Sequence, residues 1–115
     1  MAGIMDTADY TTNYTEQDIQ ANKAMGILSY IGILVLVPIL AAKESPFARF
    51  HANQGLILFL AGIAATVISW VPIIGAILSG LIWLAILVLA IIGVINAAQG
   101  KAIELPIIGK WRLIQ

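Results

Sequence analysis

The sequence has no cysteine, a single histidine and little charge, with Asp, Glu, Lys and Arg making up 10% of its 115 residues. Lack of cysteine excludes disulfides, thiolate nucleophiles and cysteine-bound metals, and one histidine cannot hold a metal alone. Six basic residues balance six acidic ones along the chain, so the electrostatic footprint that nucleic acid demands is missing. Catalysis needs a nucleophile beside a base, paired carboxylates or converging ligands. None of these is visible, and the chain reads as non-enzymatic and without a cofactor. Met1 to Asn22 is acidic and polar rather than basic and then apolar, which argues against a cleaved signal peptide.

Apolar side chains are what the chain has in abundance. They form 61% of it, well above the roughly 45–50% of a soluble domain. A bilayer is therefore the expected solvent. The first apolar run, Ala24 to Ala42 between Lys23 and Lys43, would reach about 28 Å as a helix, close to the hydrocarbon thickness of a bilayer. Thr15-Glu16-Gln17-Asp18 reads as a capping box in which Thr15 accepts from a first-turn amide and Asp18 reaches back, so a helix should begin near Glu16. Pro38 should kink it near its far end. Ser45 and Pro46 suit the N-cap and first position of the next helix. From Ala52 to Gly100 no residue is charged, more than twice the roughly 20 residues one span needs. The chain must turn back, and Trp70-Val71-Pro72-Ile73-Ile74-Gly75 supplies the interfacial tryptophan and the Pro/Gly punctuation for it.

The expected fold is an all-α integral membrane protein with three transmembrane helices, at about 24–42, 55–71 and 76–96. A polar N-terminal tail, 1–15, precedes a single membrane domain, 16–115, whose last stretch, 101–115, is too short and charged to cross and should lie at the interface. The alternative is a deep hydrophobic hairpin from Ala52 to Gly100 that never crosses. Pro-Ile-Ile-Gly occurs at Pro72 to Gly75 and at Pro106 to Gly109; both copies read as turns. With three spans, Lys23 falls on one side and Lys43, Arg49, Lys101, Lys110 and Arg112 on the other. Retention of positive charge in the cytoplasm then puts the N-terminus outside and the C-terminus inside, in the cell's inner (plasma) membrane.

Candidate functional residues cluster at the start of the second long helix. At about 100° per residue Phe47, Phe50, His51 and Gln54 share one face, while Arg49 and Asn53 share the opposite one. His51 and Gln54 could form a proton- or ligand-sensitive pair at a bundle or pore mouth, with Arg49 holding a lipid phosphate or carboxylate. The plainer reading, which these residue types favour at headgroup depth, is that they solvate the end of a membrane helix. In that case His51 is neutral and hydrogen-bonds the C-terminal tail or the first connection. Asn96 is the strongly polar group of the last span and could cap, face the interface or bond a neighbour. Ala61, Ala65 and Ser69 recur every fourth position and suit close helix packing, including self-association.

Tyr30 to Leu40, Phe50-His51-Ala-Asn53-Gln54-Gly55-Leu56 and Leu105-Pro106-Ile-Ile-Gly109-Lys110 together resemble a family of small prokaryotic membrane proteins of unknown function. That family is described as similar to the Tic translocon component of the chloroplast inner envelope and includes the magnetosome proteins MamF and MmsF. The resemblance covers most of the chain after Glu16 and implies three or four spans and membrane residence, with no assigned activity or catalytic residue. The expected function is a non-enzymatic interaction or scaffold subunit, a homo-oligomer or part of a larger membrane complex, with a link to translocation. A small oligomeric channel or carrier, with His51, Gln54 and Asn96 lining the route, and a magnetosome-type accessory protein are the alternatives.

Overall fold

A computed structural model describes residues 8–106, 108 and 113. Four α-helices follow one another: α1 (Glu16–Leu28), α2 (Leu36–Ala41), α3 (Pro46–Ile68) and α4 (Ile74–Ala98), with 3-10 turns at Thr11–Asn13 and Gly32–Val35. Among the described residues extended backbone pairs only at one antiparallel bridge, between Asp9 and Ile103, and α3 and α4 are the helices long and apolar enough to cross a membrane.

The helix starts follow from their caps. Thr15 Oγ1 accepts the Asp18 N–H at 3.1 Å, so α1 begins at Glu16, and Ser45 Oγ accepts the Ala48 N–H at 3.1 Å with Pro46 in the first turn of α3. The reciprocal half of the capping box is not made. Asp18 instead crosses to α3, where its carboxylate accepts Ser45 Oγ–H at 2.6 Å and the Phe47 N–H at 2.9 Å. An anion on the free amides at a helix N-terminus is a favourable use of that charge.

This contact corrects the expected first span. The run from Ala24 to Ala42 is not one helix: α1 stops at Leu28, the chain turns through Ser29–Ile31, Gly32 takes a left-handed φ of 52°, and the 3-10 turn and α2 lead back. Its flanks are joined through Asp18 and Ser45, so the run leaves and returns on the same side. The break has local causes, since Ser29 hydrogen-bonds the Met25 carbonyl, Tyr30 turns inward, and Pro38 is buried within α2. A helix of α1's length would reach only about 20 Å.

α3 and α4 form a long hairpin joined at residues 69–73, where the sequence places the turn. Ile73 sits at φ 66°, ψ −70°, and Ile74 N–H donates to the Pro72 carbonyl at 2.8 Å, a strained γ-turn. The second Pro-Ile-Ile-Gly copy makes the equivalent bond, Ile108 N–H to the Pro106 carbonyl at 2.8 Å; its positions 107 and 109 lie outside the described residues.

Residues near the two limits of the described part meet. Tyr10 N–H donates to the Ala102 carbonyl at 2.8 Å, Glu104 N–H to the Ala8 carbonyl at 2.9 Å, and Ala102 N–H to Thr11 Oγ1 at 3.0 Å. Residues 8–14 and 101–106 therefore share one end of the molecule, which corrects the expectation that they lie on opposite sides of the bilayer. Within the described part of the tail Ala102, Glu104, Leu105, Pro106 and Ile108 are buried against the rest of the chain, while Lys101 and Leu113 are exposed. Together with α1, the first turns of α3 and the last of α4 they build a closed head, from which the hairpin projects with most of α4 exposed and apolar.

Candidate functional site

α3 is buried almost all round from Phe47 to Gly55. α1 covers one side and the C-terminal segment the other, so both predicted faces of this helix are used. Arg49 stays half-buried, whereas Asn53 is enclosed: its amide donates to the Arg49 carbonyl at 3.1 Å and its Oδ1 accepts the Leu113 N–H at 2.8 Å.

His51, Gln54 and Tyr30 form one chain of hydrogen bonds with the C-terminal segment. Leu105 N–H donates to Gln54 Oε1 at 2.7 Å, and Gln54 Nε2–H donates to Tyr30 Oη at 2.6 Å. Tyr30 Oη lies 2.6 Å from His51 Nδ1, and His51 Nε2 lies 2.8 Å from the Lys101 carbonyl. A carbonyl can only accept, so Nε2 carries a proton. With Gln54 already donating to Tyr30, the pattern that uses every proton has Tyr30 O–H donating to a bare Nδ1. His51 is thus held as the neutral Nε2–H tautomer, bonded to the tail as expected. Rings pack edge-on around it, with centroids at 4.8 Å (Phe47), 5.2 Å (Phe50) and 5.5 Å (Tyr30), and Tyr10 and Tyr14 cover the outer edges of the phenylalanines.

Close backbone approach makes this site possible. A Cβ on Gly55 would stand 1.7 Å from the Ser29 carbonyl oxygen, and one on Gly93 would stand 2.4 Å from the Tyr30 ring. Gly26 fits among Ala97, His51 and Phe47. Beyond the network lies an apolar cleft of about 290 Å³ between Gly32 and the hairpin, lined among others by Tyr30, Gly62, Thr66 and Trp83.

At the outer rim Asp9 accepts from both the backbone N–H and the hydroxyl of Thr11. The hydroxyl bond, then the backbone bond, hold its carboxyl below the ordinary value of 3.8. Among the described residues no three of His, Asp and Glu converge as metal ligands would.

Of the residues singled out from sequence, His51 and Gln54 come together, with Asn53 and Arg49 on the adjoining face. Asn96 is half-buried in the last turns of α4, and its main-chain carbonyl accepts the Lys101 N–H at 2.8 Å. Ala65 is fully buried, Ala61 half-buried, and Ser69 exposed at the end of α3. Sequence reasoning gave no site role to Tyr30 or the glycines and did not foresee the contact of Asp18 with α3. A tyrosine preceded by serine between Gly26 and Gly32, in an otherwise apolar run, was the available signal for the first.

The profile of the magnetosome magnetite crystal formation protein family matches residues 21–114. The chain is 36% identical to magnetosome protein MamF of Paramagnetospirillum magneticum, over 74% of its own length and 77% of that protein's. It is 33% identical to magnetosome protein MmsF of the same organism, over 73% and 78%. A UPF0132 membrane protein of Methanocaldococcus jannaschii is 39% identical, over 73% of this chain and 62% of that one. No solved structure matches.

Proposed function

This chain belongs to the magnetosome magnetite crystal formation protein family, and from that premise we propose that it acts as a non-enzymatic scaffold subunit, anchored by the α3–α4 hairpin and presenting its folded head at the cytoplasmic face. Two spans and a re-entrant first segment replace three spans. The observation that carries this reading is the closed hydrogen-bond chain from Leu105 to Lys101: the polar groups of His51, Gln54 and Tyr30 are spent on holding the molecule together. A channel or carrier would need them open to a water-filled route. Relatives named as magnetosome proteins favour a second, narrower reading, an accessory role at that membrane, although other relatives are named only as membrane proteins.

Orientation rests on charge. All six basic residues lie outside the stretch from Ala52 to Gly100, and with two spans that assigns every one of them to the head side, the cytoplasmic one.

Self-association is the other part of the proposal, and the surface that suits it is on α4. Ala65 is already enclosed within the chain, whereas Ile77, Leu81, Leu84, Val88, Ile91 and Ile95 are all exposed and alternate at spacings of four and three, the repeat of a helix–helix seam. Single cysteines along α4 in native membranes test it. Crosslinking should peak at positions 84, 88 and 91 and fall at 86 and 89. A flat profile together with a monomeric mass in mild detergent would refute the seam, and solute flux through protein-loaded liposomes would refute the scaffold reading.

A further inference from the structure

Between Ile31 and Ala42 the chain has no polar side chain at all. The segment buries Val35, Pro38 and Ala42, and it exposes Ile31, Ile33, Leu34, Leu36, Val37 and Leu40, by 37% to 66%. So large a contiguous apolar surface does not face water. At Gly32 it borders a cleft shared with Ile63 and Trp83, which are exposed on the hairpin, and the occupant that fits both surfaces is lipid hydrocarbon.

Its depth is limited. The part of α4 from Ile74 to Gly93, which touches Tyr30, measures about 28 Å, one hydrocarbon thickness. Gly32 follows Tyr30 by two residues, which limits it to about 7 Å from that level, and it lines a cleft that begins at Gly55 of α3. The segment therefore occupies the head-side leaflet alone. That leaflet holds α3, α4 and the two limbs of the re-entrant segment, while the other holds only α3 and α4.

We propose that this one-sided wedge makes the protein favour curved membrane, with its head on the convex surface. A protein wider in one leaflet fits where that leaflet is splayed, and shallow apolar insertion is sensitive to curvature for the same reason. The inference rests on the spanning hairpin proposed above.

The test uses the full-length protein labelled at Thr12→Cys, in giant vesicles of phosphatidylcholine and phosphatidylglycerol from which thin tubes are pulled. Accessibility of Thr12→Cys from outside and protection of Val71→Cys establish that the hairpin spans with the head outward. Labelling of positions 12 and 71 alike from outside in one vesicle population would overturn the spanning reading and the wedge with it. With position 71 protected, the protein-to-lipid-dye ratio should be higher in the tube than on the flat vesicle. It should fall to that of the dye when Ile33, Leu34, Val37 and Leu40 are all replaced by serine. Leu40→Ser alone, the most exposed of these sites, should give an intermediate ratio and serves if the fourfold variant does not fold. No enrichment of the unmodified protein, or enrichment unchanged in Leu40→Ser, would overturn the wedge while leaving the hairpin reading intact.

Discussion

Tyr30 stands between His51 and Gln54, so its hydroxyl satisfies two buried groups at once. Tyr30→Phe leaves His51 Nδ1 and Gln54 Nε2 without their partner, and thermal or denaturant unfolding in detergent should show a loss of about 1–3 kcal/mol. Glutamine can place a donor and an acceptor much as the two imidazole nitrogens do. His51→Gln should therefore cost less than His51→Leu, and each should couple to Tyr30→Phe by about 0.5–3 kcal/mol in a double-mutant cycle. Equal losses for Gln and Leu, with no coupling, would refute the chain of bonds. Asp9 gives a pH dependence of known sign. Its folded pKa lies below the ordinary 3.8, because Thr11 donates to it through side chain and backbone, so its contribution is present above that value and is lost as pH falls below it. Hydrogen exchange at Tyr10 and Glu104 should accelerate in that acid window, and Asp9→Asn should mimic the effect at neutral pH. His51 and Gln54 were legible as polar residues interrupting an apolar helix. A bond from His51 to the tail was legible too, but not the atoms used, because a main-chain carbonyl at Lys101 and an amide at Leu105 carry no side-chain signature.

Helix starts were legible at the level of elements because caps are local: Thr15, Ser45 and Pro46 act within one turn of themselves. Asp18 was only half legible, since its spacing from Thr15 fits a capping box but its carboxylate is used by a helix that begins 28 residues later in the chain. Asp18→Ala strips α3 of that anion and uncouples α1 from it, and should destabilise by about 1–3 kcal/mol, with Asp18→Asn losing less. Glycines divide by surroundings rather than by type. Adding a methyl at Gly55 drives it into the Ser29 carbonyl, whereas at Gly80 it meets nothing within 4 Å. Gly55→Ala should therefore cost about 1–3 kcal/mol or prevent folding, while Gly80→Ala should gain up to about 1 kcal/mol from helix propensity. Similar unfolding midpoints for the two variants would mean that α1 does not cross α3 so closely.

For the whole molecule, the hairpin was legible and the path of the first apolar run was not. Hydropathy counts residues, and Ala24 to Ala42 has enough of them to cross; it does not register that the run is folded back on itself. That depends on Tyr30 finding His51 and Gln54, on Gly93 making room for its ring, and on Asp18 meeting Ser45, all of them contacts between distant parts of the chain. Reading the run as a span carries through to orientation, because it puts the N-terminal segment on the opposite side from residues 101–106, to which residues 8–11 are hydrogen-bonded. Single cysteines in this cysteine-free chain distinguish the two topologies with a membrane-impermeant label. Three spans place Thr12 and Val71 on one side and Lys43 and Gln99 on the other. A re-entrant first segment places Thr12, Lys43 and Gln99 together and Val71 alone. The informative pair is Thr12 and Lys43, which flank the run and have opposite fates in the two schemes. In intact cells all three head positions should be protected and Val71→Cys labelled, and in inverted vesicles the pattern should reverse. Opposite labelling of Thr12→Cys and Lys43→Cys would restore the third span and remove the re-entrant wedge. Labelling of all four from one side would instead mean that the hairpin lies within one leaflet, without crossing.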